Sequence, residues 1–168
     1  DLLQIDKHYA RKETLIFSYM EKYGISAPPK VMWGVDDDIR EMIKALNAYL
    51  ATDKAAYNPL SEKWEAVKTE VEEMIFKEEE IVVPMTLDVF SLKDWEQIAH
   101  DSFDIGFAFI PEPLPWKPSQ ESLEKESERE PARQLAIKKA KETTDGIAAG
   151  LGIEEFTSEA VQDETAPM

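Results

Sequence analysis

The chain has 168 residues, 43% of them hydrophobic and 10% aromatic, enough to fill a core within one domain. Its 35 acidic residues outnumber the 19 basic ones, for a net charge of −16, and no stretch approaches the roughly 18 apolar residues of a membrane span, so neither nucleic acid nor a membrane is an expected partner. The absence of cysteine excludes disulfides, thiolate zinc sites and cysteine nucleophiles, and with no secretory signal in view it fits a cytoplasmic location.

The sequence enters a helical pattern at once, with no initiator Met and no cap. Leu2, Ile5, Tyr9, Ile16 and Met20 recur near helical spacing and Gly24 supplies a stop, which predicts a first helix over 2–22. Its start looks cut, so the chain is expected to be a fragment of something longer. Ala27-Pro28-Pro29 reads as a stiff connection. A second helix is expected from Val35 to Leu50, with Asp36 or Asp37 as N-cap and Ile39, Met42, Ile43, Leu46 and Leu50 as its buried stripe.

Asn58-Pro59 reads as a cap followed by proline in the first turn, opening a third helix over Leu60–Val83 that Pro84 should end or kink. Ser91-Leu92-Lys93-Asp94 resembles a capping box for a fourth helix ending near Phe103, closed by Gly106. Pro111, Pro113, Pro115 and Pro118 then bracket Trp116, the pattern of an extended strap that either docks a partner or packs on its own domain. Residues 119–131 are almost wholly polar and charged and read as linker. A modest helix is expected over Arg133–Thr143, within an acidic tail whose end leans towards disorder. The fold class is all-α. The division expected is a helical bundle over 1–110, a Pro-rich and charged linker over 111–131, and the tail over 132–168.

Two segments look related. His8–Ser18 can be laid over Met74–Pro84 at a constant offset of 66 residues, which aligns Arg11 with Lys77, Glu13 with Glu79, and an apolar run after each. Any two amphipathic helices share some of this. Repeated helical hairpins are nevertheless how bundles build metal sites, with carboxylate and imidazole pointing inward.

Several blocks carry a family resemblance: Lys7-His8-Tyr9-Ala10-Arg11-Lys12-Glu13, Tyr19-Met20-Glu21-Lys22-Tyr23-Gly24-Ile25, Pro28 through Arg40 around Met32-Trp33-Gly34, and Met74-Ile75-Phe76-Lys77-Glu78-Glu79 with Pro84-Met85. Asp94-Trp95 and Ile105-Gly106-Phe107 extend it. Over about residues 1–118 the chain resembles a bacterial and archaeal family with a hemerythrin-like (HHE cation-binding) helical bundle, commonly followed by a PAS sensor domain. The resemblance implies an up-down helical bundle, and in relatives a non-haem di-iron centre. It places His8 at a ligand-histidine position and Glu13 and Glu79 within the acidic motif, so His8, Glu13 and Glu79 are the expected metal ligands, with iron the expected metal.

This sequence departs from that pattern. Met74 stands where the second segment would repeat His8, and Asp36-Asp37-Asp38 stands where many relatives have Glu-His. The resemblance also implies an early helix with further ligands, expected upstream of Asp1. With His8 and His100 its only histidines, the chain cannot complete a histidine-rich di-iron site alone. Moreover, the i,i+5 spacing of His8 and Glu13 turns them about 140° apart on an ideal helix. Solvated charge is the stronger reading for Glu13, Glu78 and Glu79, and helix capping for the aspartate run.

No phosphate loop, nucleophile elbow or His-Glu-x-x-His motif is present, so no enzyme is expected. The leading expectation is a regulatory or sensory module that binds a cation and signals to an adjoining PAS domain or a partner subunit, with a homodimer covering the apolar face that the missing helix would leave. The alternative is a metal-free helical interaction module.

Overall fold

The computed structural model describes residues 1–54 and 56–150, without the side chains of 147–150. It contains helices and connecting segments, with no strand among the described residues. Helix α1 is a continuous rod over 2–22: a 3-10 turn Leu2–Gln4, an α-helical stretch Ile5–Arg11, a π-helical turn Lys12–Phe17 and a last α-helical turn Ser18–Lys22. Gly24, at φ +79°, closes it, and the Ile25 N–H reaches back to the Met20 carbonyl, satisfying an orphan acceptor of the last turn.

Helix α2 runs over Ala27–Leu50, eight residues earlier than expected. Pro28 and Pro29 belong to it rather than to a connection, because the first helical turn needs no intrahelical N–H donor. That earlier start also moves Asp36 from the expected cap into the helix interior, where it is fully buried.

Helix α3 comprises Tyr57–Lys77, a second π-helical turn Glu78–Val82 and the α-helical stretch Val83–Val89. Pro84 does not end it. The proline falls in the first turn after the π-helical segment, where the regular bonding ladder is already displaced and its missing N–H costs little. Helix α4, Leu92–Ile105, opens on the expected capping box, with Ser91 accepting from the Asp94 N–H and Asp94 accepting from the Ser91 N–H. Gly106 at φ +92° closes it.

Residues 106–119 cross the surface without regular structure, as the prolines require. Helix α5 then spans Gln120–Gly150, so the polar segment expected as linker is helical, and Pro131 lies inside the helix. Pairs such as Glu121 with Lys125 support its exposed start, while Ala136, Ile137 and Ala140 pack on the main core. The acidic end beyond Gly150, expected to lean towards disorder, lies outside the described residues.

Helix α1 packs against α2 and α4, α2 against α3, and α5 against α2 and the end of α3. One core joins them: Tyr9, Phe17 and Met20 from α1, Ile39 and Ile43 from α2, Met74 and Val82 from α3, and Ile98 from α4. Phe90, fully buried between α3 and α4, packs on the rings of Tyr19, Tyr23 and Trp95.

Candidate functional site

The two π-helical turns begin at Lys12 and Glu78, which lie at the offset of the two related segments. A π turn inserts an extra residue and rotates the helix face, and such turns recur at functional sites. Here each turns its first residue inward, and the two meet. Lys12 is 5% exposed. Its Nζ donates to Asp36 Oδ1 at 2.8 Å and to Glu78 Oε1 at 2.6 Å, joining α1 to α2 and α3. The aromatic faces of Tyr9 and Phe17 flank the ammonium at 4.6 and 5.7 Å from their centroids.

The other oxygen of Glu78 bonds His8 Nε2 at 2.9 Å. Beside this, Arg40 grips Glu13 through two parallel bonds of 2.8 and 2.9 Å, and its guanidinium also reaches Asp6 and Asp37. A cleft of about 230 Å³ between α1, α3 and α4, lined by His8, Lys12, Glu78, Val82, Trp95 and Ile98, opens onto the cluster.

Charge bookkeeping explains the titration of the acids. Lys12 and Arg40 bring two positive charges, and Glu78 and Glu13 bring two negative ones. Asp36 is the odd acid. Burial pushes its carboxyl up to about 7 against the pull of Lys12, and neighbouring Glu13 adds to the rise. Its Oδ2 is buried without a partner, the position a retained proton would take. For Glu78, burial works to raise the carboxyl, but the hydrogen bond from His8 and the charge of Lys12 outweigh it and hold the group below its ordinary value. With Asp36 protonated, the buried cluster is neutral.

Of the three expected ligands, none meets another. His8 pairs with Glu78, the residue before the expected Glu79. Glu13 is buried but fully engaged by Arg40. Glu79 is exposed. The extra residue of each π turn re-aims the face, so position 78 rather than 79 looks inward. His100 is exposed and bonded to Asp101.

The sequence matches the model of the hemerythrin HHE cation binding domain over residues 2–86, half of the chain. The chain belongs to that family. No curated protein matches it. The family implies a metal, and the donor set decides whether one fits. Among the described residues no group of three or more histidine or acidic side chains converges on a common point. The inward carboxylates are held at hydrogen-bond distance by an ammonium, which already supplies the positive charge between them, and a divalent ion would have to displace it. The residues present therefore do not fit a metal centre while Lys12 stands where it does.

Sequence reasoning missed Lys12, Asp36 and Arg40, and set Glu78 aside as solvated charge. The signal was present: the 66-residue offset that matches His8 to Met74 also matches Lys12 to Glu78, opposite charges at equivalent positions of two helices.

Proposed function

We propose that this hemerythrin-family domain is a regulatory module that acts by contact with an adjoining PAS domain, without catalytic turnover. The observation that carries this reading is an apolar cleft of about 650 Å³ formed by the end of α3, α4, the proline strap and α5. Leu87, Leu92, Trp95, Ile98 and Trp116 line it, with Arg129 beside them. Leu87 and Trp116 are 54% and 46% exposed, so large apolar side chains of the cleft are left at the surface. Patches of this kind mark docking sites.

Hydrogen–deuterium exchange of the chain alone and within a polypeptide that carries it beside a PAS domain tests the reading. Slower exchange around 87–99 and 114–118 in the longer polypeptide, reversed by Leu87→Glu, is expected. Equal exchange in both would remove the proposal. Slowing that depends on protein concentration would point to a second copy of this chain instead.

The family match favours a second reading, a metal-responsive sensor holding iron through His8, Glu13 and Glu79. It requires Arg40 to release Glu13, His8 to leave Glu78, and the exposed Glu79 to turn inward. Elemental analysis of protein produced in iron-supplemented medium separates the two: iron bound in a fixed ratio to protein supports the sensor, and none supports the contact module.

A further inference from the structure

We propose that residues 107–135, the proline strap with the first half of α5, form a lid that opens from the bundle as one unit and, when closed, walls the apolar cleft. The inference stands whether or not a PAS domain docks there, because it concerns a motion of the chain by itself and is tested without a partner.

Three observations carry it. First, the helical part of the segment buries no large apolar side chain. Over 120–135 every residue except Glu126, Glu130 and Arg133 is exposed, Leu123 and Leu135 among them. Packing of α5 on the core begins at Ala136 and Ile137 and reaches full burial at Ala140. A helix in a protein owes most of its stability to a buried face, so the stretch before residue 136 is weakly held. A cleft of about 470 Å³ also separates α5 from the end of α3, with Met85 and Val89 on one side and Ala132, Ala136 and Ala140 on the other. Close-packed elements leave no such space between them.

Second, what holds the segment is a row of polar contacts to the backbone of the α3–α4 corner. Glu126 Oε1 accepts from the Leu92 N–H at 2.7 Å, Arg129 Nη2 donates to the Leu87 carbonyl at 3.1 Å, and Arg133 Nη1 donates to the Val89 carbonyl at 3.2 Å. Positions 126, 129 and 133 share one helix face. Leu87 and Val89 lie in the last turn of α3, and Leu92 opens α4. These are groups that a helix leaves unpaired at its ends, and each meets a charge of the sign its helix end favours. Water replaces such partners at little cost, and Arg133 keeps its two bonds to Glu130 within α5, so release strands no charge.

Third, the segment is the outer wall of the cleft. Trp116 of the strap and Arg129 of α5 line the 650 Å³ cleft together with Leu87, Leu92, Trp95 and Ile98 of the bundle. Arg129 and Asp88 border both clefts, so lifting the segment joins the two into one groove along the end of α3. Gly106, at φ +92°, is the pivot before it, and Pro131, which cannot donate to the helical ladder, weakens α5 within it.

The test follows amide exchange of the whole chain residue by residue. The Leu92 N–H reports closure, because its partner Glu126 lies on the segment, and Ile43 reports the core. In Arg129→Ala/Arg133→Ala, which leaves Glu126 in place, Leu92 exchange should rise at least about tenfold while Ile43 stays within about twofold. Unchanged exchange at Leu92 would overturn the proposal, showing separate contacts instead of one lid. An equal rise at Ile43 would overturn it too, making α5 part of the bundle's global stability.

Should that variant fail to fold, wild type still decides. Leu92 should exchange through an opening that grows little with urea, and Ile43 through one that grows steeply, because a lid exposes far less surface than global unfolding. The same urea dependence at both amides would overturn the proposal.

Discussion

Two segments of this molecule share a backbone design and differ in what they put inside it. His8–Ser18 of α1 and Met74–Pro84 of α3 each pass through a π-helical turn at the same relative position. In the first, the inward residue is Lys12 and the histidine one turn earlier is kept. In the second, the inward residue is Glu78, and Met74 at the equivalent histidine position is buried in the core. Two like segments with like carboxylates would repel each other and call for a metal between them. Opposite charges at equivalent positions remove that need. The difference teaches that two segments of like geometry can meet through opposite charges supplied by their own side chains.

Breaking the pair from one side should have the largest effect. Lys12→Ala leaves Asp36 and Glu78 buried without their donor, and should lower stability in metal-free buffer by about 3–5 kcal/mol, measured by urea denaturation. A loss below about 1 kcal/mol would mean water replaces the ammonium without penalty, and that the pair is not a true interior contact.

Disturbing the flanking pair should cost less. Arg40→Ala strands the buried Glu13 but removes a guanidinium that is itself less buried than the Lys12 ammonium, so a loss of about 2–3 kcal/mol is expected by the same measurement.

The pH dependence sharpens the comparison further. Asp36 has a folded value raised above its ordinary 3.8, so its share of stability is fully present below 3.8 and is lost as pH rises through about 7. Glu78 and Asp94 are held below their ordinary values, so their shares are present above those values and are lost as pH falls. Stability should accordingly peak in mild acid and decline towards pH 7. Asp36→Asn mimics the protonated form, with one oxygen left to accept from Lys12, and should flatten that decline. At about pH 8 it should be more stable than wild type by about 1 kcal/mol. A variant less stable than wild type at that pH would show that the fold stabilises the ionised Asp36 carboxylate, against the account.

The smallest effect is expected at His8. Its side chain is 38% exposed and it shares Glu78 with a stronger donor, so His8→Ala should cost under about 1 kcal/mol while preserving helix content by circular dichroism.

Much of the fold was legible in the sequence. The apolar spacing of α1 and the α2 stripe Ile39–Ile43–Leu46 were, and so was the Ser91–Asp94 box, because each depends on local chemistry. Prolines misled at the Pro28-Pro29 start, and at Pro84 as far as an end to the helix was expected there. Pro28-Pro29 sits where a helix tolerates it, and Pro84 sits beyond a π turn that sequence periodicity does not reveal. Of helix α5 the stretch over Arg133–Thr143 was expected, and its first part escaped because the helix has almost no apolar face there, while residues such as Ile137 and Ala140 anchor it to the bundle. At the centre, a search for ligands looks for donors of electron pairs and passes over lysine. The 66-residue offset pairs Lys12 with Glu78, and the fold adds Asp36 and shows Lys12, one residue before the expected Glu13, as the group that the carboxylates surround.

The most direct test of the central claim is a charge-exchange cycle between Lys12 and Glu78, read by the unfolding free energy of wild type, Lys12→Glu, Glu78→Lys and the double exchange. Each single change should destabilise strongly by placing like charges together, and the double exchange should recover much of the loss, with a coupling of about 2–3 kcal/mol. Additive losses with no recovery would contradict the account, showing that the two segments do not meet through these charges.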